Sequence, residues 1–316
     1  MMNGALHAAL RSGKGCVRTN NEDAYFFNGS FAELKEMDLE ASLAKDFGNS
    51  QSLFAICDGM GGYENGEVAS YTAVSRMPEL KRLLKPGNFA LTLGQWVDET
   101  NKRIIEAARN GGCTLALLFF ASNRVYAAHI GDSRIYLFQD GKLRRLTKDH
   151  SKVQVLLDAG IISEKEAETY PHKHVITRAL GMDEEENGKC RPAIQDSLPE
   201  KNGDRYMICS DGVTDMLKDD QIGAILFREK TADDCAEAIY QAALNAGGKD
   251  NTSVIVIDVE NSDESLEIKE TSGLLESTWP PVKSPNDTIR IEQTTTIKQT
   301  NGQEITIKSL VSRVFL

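Results

Sequence analysis

The chain has 316 residues, 41% of them hydrophobic and 26% charged, enough for one sizeable core or a core plus an appendage. A formal net charge of −11 and a pI near 5.1 argue against nucleic acid as a partner, because phosphate backbones call for basic patches. No apolar stretch reaches the length of a membrane span, and the opening MMNGALHAALRSGKG lacks a charged n-region, so neither a membrane partner nor a signal peptide is expected.

In chain order, residues 4–10 and 24–28 read as strands. Residues 30–47 are polar and acidic with scattered apolar positions, and read as a helix or a loop insertion. SLFAIC at 52–57 is a strand. Helical spacing runs over 64–84, with Pro78 as a break point, and again over 89–110, where Gly111-Gly112 stops it. CTLALLFFAS, NRVYAAHIG and SRIYLFQDGKLRRL follow with very short polar connections, which suits antiparallel hairpins and not parallel crossover units. Two short helices come next, the second opened by Ser163 with Glu166 three residues on. A strand at 205–209, helices within 213–246 and a strong strand at 252–259 complete this part. Beyond about residue 261 a polar and then Pro-rich stretch reads as linker. Alternating Ile and Thr around Asn301-Gly302 then give a hairpin signal. The expected division is therefore a catalytic domain at 1–260 and a tail at 261–316, the tail serving as a plain edge hairpin or as a docking arm.

Six cysteines are present, none in a CxxC pair; Cys57, Cys113 and Cys209 fall in expected core strands, where a reduced thiol packs as a small hydrophobe. That usage fits a reducing cytoplasm. More telling are the carboxylates. Asp58, Asp132 and Asp211 stand where an apolar run stops, and Glu22, Asp23 and Asp250 where one begins. If exit and entry strands run antiparallel, all gather at one edge of the sheets. Carboxylates that close cannot all stay ionised without a cation, so the pattern points to a divalent metal.

GCVRTNNED (15–23), FAICDGMGG (54–62), HIGDSR (129–134), LTKDHS (146–151), ICSDGVTD (208–215) and DNTSVIVI (250–257) occur in this order. Together they closely resemble the protein phosphatase type 2C family, the metal-dependent protein phosphatases, in their bacterial form. The resemblance covers roughly residues 4–259 and implies an α+β fold, a four-layer αββα sandwich of two mostly antiparallel sheets flanked by helices. It implies hydrolysis of phosphoserine and phosphothreonine in proteins, with two Mn²⁺ or Mg²⁺ ions and a looser third. Asp58 would bridge the two ions and Gly59 would contribute its carbonyl. Asp211 and Asp250 would complete one ion, Glu22 or Asp23 would serve the other, and Asp132 would join Asp211 at the third. Asp58, Asp211 and Asp250 are thus the expected catalytic residues, and Arg18 matches the arginine that grips substrate phosphate. Met60 stands where DGHGG members carry a histidine, so the leaving group's proton is expected from water at the metals. The segment from His150 to about Leu180 matches the variable flap beside the active site.

Phosphorylated proteins and a cognate Ser/Thr kinase are the implied partners of an expected cytoplasmic monomer. A phosphatase of a sigma-factor or stress regulator is the alternative within the chemistry, and a non-catalytic scaffold the alternative outside it. Loss of metal ligands would mark a scaffold, and none is lost. Asp149 and His150 read as structural, His129 as a satisfied core residue, and His172 and His174 as solvated positions of the flap. Gly13-Lys14 and Gly248-Lys249 lack the remainder of a P-loop, and GMGGYE lacks the third glycine of a dinucleotide fingerprint.

Overall fold

Side-chain alternation along the central strands explains the layering. In β4 (Ser52–Met60), Leu53, Ala55 and Cys57 face one core and Phe54 and Ile56 another. In β12 (Thr252–Asn261), Ile255 and Ile257 share the second core while Val254 and Val256 face a third. A strand covered on both faces must be apolar at every position, which is why these runs were so legible. The structure is a computed structural model that describes residues 4–48, 51–60, 65–171, 174–182, 190–261, 289–298 and 304–313.

One sheet has the order β3 (Ala41–Gly48), β1 (Gly4–Gly13), β12, β11 (Arg205–Cys209), β8 (Arg134–Gln139), β9 (Lys142–Arg145). The other runs β10 (Ala193–Pro199), β7 (Arg124–Ile130), β6 (Leu115–Ala121), β4, β2 (Asp23–Phe27), with the short β5 (Gly112–Cys113) on the end of β4. The pairings are antiparallel. The middle core, with Leu10, Phe54, Phe120, Tyr206 and Ile255, is built from both sheets. Against the outer face of the β4 sheet pack α1 (Gly66–Ser75), α2 (Met77–Leu83) and α3 (Phe89–Ala108), through Val74, Met77, Leu80, Leu93 and Trp96. Against the other sheet pack α6 (Asp211–Thr214), α7 (Asp219–Arg228) and α8 (Ala232–Asn245), through Val213, Ile222, Cys235 and Ile239. The result is an α+β sandwich of four layers.

The helical stretch at 64–84 divides at Arg76, and Pro78 sits at the start of α2, where its missing N–H leaves no helical bond unmade. Residues 30–47 correct the expectation. They hold a single 3₁₀ turn, Leu34–Glu36, and then the edge strand β3, which pairs with β1. Its sequence, ASLAKDFG, has poor strand propensity; pairing and the packing of Leu43 and Phe47 on the middle core override it. β10 was also missed. It is an edge strand with a bulge between Gln195 and Leu198, ending at Pro199, a pattern with little periodic signal.

Between β9 and β10 the chain leaves the sandwich as α4 (Lys152–Asp158) and α5 (Glu164–Glu168). The Ser163–Glu166 capping box forms as its spacing implies. Backbone bonds close the foot of this flap: Lys152 N–H to the Val175 carbonyl at 2.9 Å and Thr177 N–H to the His150 carbonyl at 2.7 Å. Asp149 anchors the same foot by accepting from Arg134 at 2.8 Å and from Arg145. The His129 ring stacks on His150 at 4.6 Å, and its Nε2 lies 2.8 Å from the Lys148 carbonyl oxygen.

Contacts divide the chain into two compact units, Met1–Ser262 and Asp263–Leu316. In the second, β13 (Ile289–Lys298) pairs antiparallel with β14 (Glu304–Arg313). The linker at 262–288 and Asn301-Gly302 lie outside the described residues. Among the described residues, no helix is long and apolar enough to cross a membrane.

Candidate metal centre

The antiparallel pairings bring the strand-end carboxylates together. Asp23, at the entry of β2, lies directly opposite Asp58, near the exit of β4. The Asp58 N–H donates to Thr114 Oγ1 and its carbonyl accepts from the Thr114 N–H, both at 2.9 Å, so the backbone there is clamped from the β5–β6 junction. Asp132 is delivered by the turn between β7 and β8. Asp211 opens α6 straight after β11, and Asp250 precedes β12. Glu22, Asp58, Gly59, Asp132, Asp211 and Asp250 line one cleft of about 530 Å³, with Arg18, Met60 and Lys249 at the same walls. Arg18 donates from Nη2 to Asp250 Oδ2 at 2.8 Å.

Two glycines make the approach possible. A Cβ on Gly59 would lie 2.3 Å from the Gly66 carbonyl oxygen and 2.5 Å from that of Glu22, so only glycine lets β4 pass between the 22 loop and α1. A Cβ on Gly212 would lie 2.0 Å from the Asn251 carbonyl oxygen, which fixes how closely Asp211 and Asp250 come.

Asp23 sits behind the cleft. It is 2% exposed, its Oδ2 accepts from the Ser210 hydroxyl at 2.7 Å, and its Oδ1 has no hydrogen-bond partner. Burial pushes its carboxyl up to about 6, with Asp250 adding to the rise. Burial and then the charge of Asp149 raise Asp132 to about 6 as well. Asp58 is pushed well above the usual carboxylate range by burial, then by Asp211, Asp23 and Asp132. Asp211 follows for the same reasons, with Asp132 its strongest charged neighbour. Glu22 is raised by burial. Such crowding, with a buried carboxylate oxygen left unpartnered, fits a site that binds a cation. The donors are all oxygen, which suits Mg²⁺ or Mn²⁺.

Two features escaped the sequence. Asn251 is buried; its Oδ1 accepts from the Glu22 N–H at 2.8 Å, and its Nδ2 donates to the carbonyls of Asn20 at 2.8 Å and Lys14 at 3.3 Å. It thereby ties the loop carrying Arg18 and Glu22 to β12. An Asn before a strand reads as a turn residue, so only its distant partners reveal the task. Asn251→Ala is expected to lower stability by roughly 2–4 kcal/mol in chemical denaturation, since buried donors and acceptors are left unmade. A loss under about 0.5 kcal/mol would show the clamp to be idle. The second feature is His174, which stays exposed as the flap sequence implies yet lines the cleft with Nδ1 3.3 Å from Asp215 Oδ2. His172 lies outside the described residues.

Known proteins resemble this chain in sequence and in fold. A sequence model described as protein phosphatase 2C matches residues 23–155. The serine/threonine protein phosphatase PstP of Mycobacterium tuberculosis is 36% identical over 265 residues, covering 82% of this chain and 46% of PstP; the chain thus spans less than half of that relative. The serine/threonine phosphatase stp of Listeria monocytogenes is 34% identical over 263 residues, which cover 80% of this chain and 96% of the relative. A solved structure of the PstP catalytic domain in complex with two manganese ions superimposes with a TM-score of 0.65 at 33% identity, over 81% of this chain and 99% of that one. The same fold, with this degree of identity along nearly the whole of the Listeria relative, settles the kinship: the chain belongs to the protein phosphatase 2C family.

Proposed function

We propose that the chain hydrolyses phosphoserine and phosphothreonine in proteins, and that the carboxylate cluster holds two divalent cations, Mn²⁺ or Mg²⁺. The convergence of Glu22, Asp58, Asp132, Asp211 and Asp250 on one cleft beside Arg18 carries this reading. When bound, the ion pair supplies Lewis-acid chemistry and lowers the pKa of the attacking water. Asp58 and the carbonyl of Gly59, which line the same cleft, would contribute oxygens to both ions. Asp211 and Asp250 would hold one ion. Glu22, at the cleft wall, would serve the other, with Asp23 supporting from behind. Asp132 stands with Asp211 at a looser third position.

Arg18 grips two oxygens of the substrate phosphate with its planar fork, and Asp250 holds the guanidinium in place. The flap limits which phosphoproteins reach the cleft. In this reading residues 1–260 form the catalytic domain, with 261–316 outside it. The physiological setting is reversal of a Ser/Thr kinase in the cytoplasm, by a monomer.

Mn²⁺-dependent release of phosphate from a phosphothreonine peptide tests the proposal, with chelation expected to abolish it. Arg18→Ala is expected to lower kcat/KM by about 10- to 100-fold, the worth of one charge-assisted phosphate contact. An unchanged kcat/KM would remove Arg18 from the site.

A further inference from the structure

Asp211 and Asp215 stand one turn apart at the two ends of α6, so both carboxylates reach the same wall of the cleft. His174 meets them from the flap. One ligand atom from each of His174, Asp211 and Asp215 lies within 4.8 Å of the others. Ligands on opposite sides of one ion, each about 2.1 Å from it, stand about 4.2 Å apart, so small side-chain adjustments complete a ligand set. His174 is not adrift. Two residues on, Ile176 bridges to Ser151 at the foot of the flap, and the Lys152 N–H holds the Val175 carbonyl between them. No salt bridge joins a Lys or Arg to Asp211 among the described residues, and the charges of Asp132, Asp215 and Asp250 act on it most strongly.

We propose that His174, Asp211 and Asp215 form a cation site of mixed nitrogen and oxygen donors, in which the flap itself contributes a ligand. The inference rests on the carboxylate cluster being a metal centre, and it adds the imidazole. The third position drawn from Asp132 and Asp211 offers oxygen alone and makes no distinction between Mg²⁺ and transition ions. An imidazole nitrogen does: it suits Zn²⁺, Fe²⁺, Ni²⁺ and, between the last two in affinity, Co²⁺, while Mg²⁺ and Mn²⁺ favour an oxygen shell. Occupancy by such an ion would fasten the flap to α6, so access for substrate would follow the supply of transition metal and not of Mg²⁺.

Titration of the metal-free full chain with Co²⁺, followed by proton NMR, tests this directly. The other proposed ligands are all oxygen, so a paramagnetically shifted imidazole N–H reports a histidine ligand alone. The shifted resonance is expected in the wild type, absent in His174→Ala and retained in His172→Ala. Affinity for the third Co²⁺ is expected to fall about tenfold or more in His174→Ala, with the first two ions unaffected. Two or three ions bound with no imidazole signal, or a signal that survives His174→Ala, overturns the site while leaving the dinuclear reading intact. Failure of the wild type to take up any Co²⁺ overturns both.

Discussion

Asp58→Asn is expected to reduce phosphate release on the order of 10³-fold or more and, in the same protein, to stabilise the metal-free fold. The two effects share one cause. Asp58 is half-buried at the cleft among Asp23, Asp132, Asp211 and Asp250, and its ionised form is held there against desolvation and like charge. Asparagine keeps the volume, removes the charge and offers one oxygen where two cations each require one. The free energy of chemical unfolding in chelator should therefore rise by roughly 1–3 kcal/mol as the rate collapses. A residue kept for structure behaves otherwise, since its removal lowers both. Loss of activity together with loss of metal-free stability would show that Asp58 serves the fold and not the ions.

The pH dependence of stability is expected to invert with metal. Asp23 and Asp132 have folded carboxyls raised from the ordinary 3.8 to about 6, and those of Asp58 and Asp211 are raised as well, by burial and by neighbouring charge. A raised carboxyl binds more protons folded than unfolded, so its contribution is fully present below the unfolded value and lost as pH climbs through the folded one. A rise to about 6 makes the ionised fold less stable by roughly 3 kcal/mol for one such group taken alone. In chelator, the thermal midpoint should fall by several degrees between pH 5 and pH 7.5. With Mn²⁺, which binds only ionised carboxylates, stabilisation should grow over the same window, reaching about 3 kcal/mol at a hundredfold excess over Kd. His7, bonded to Asp46 at 2.7 Å and Glu260 at 2.6 Å, is raised from 6.5 by those bonds. It loses its contribution as pH rises above that value, the same sign in a higher window, and Mn²⁺ leaves it alone. The difference between the two curves therefore isolates the cluster. Parallel curves would mean that no cation binds there.

How much of this was legible depends on where each residue's partners lie. β4, β6, β7, β11 and β12 are buried on both faces, so their apolar runs declare themselves, and the acids at their ends are visible as interruptions. β3 and β10 are edges, each paired on one side, and ASLAKDFG and AIQDSLP carry no pattern that survives without a neighbour. The opposition of Asp23 to Asp58 followed once antiparallel pairing was assumed, yet nothing local separates Glu22, at the cleft wall, from Asp23 behind it. Asn251 and His174 act on partners 229 and 41 residues away, Glu22 and Asp215, and a single sequence offers no trace of such distances.

The central claim is that these strand-end acids make a cation-dependent hydrolase of phosphoserine and phosphothreonine. Release of phosphate from a phosphothreonine peptide, measured with and without Mn²⁺ for the wild type and Asp211→Asn, meets it most directly. Mn²⁺-dependent turnover by the wild type and a loss on the order of 10³-fold in Asp211→Asn is the expected result. Equal release by the two proteins, or release indifferent to Mn²⁺ and chelator, would contradict it.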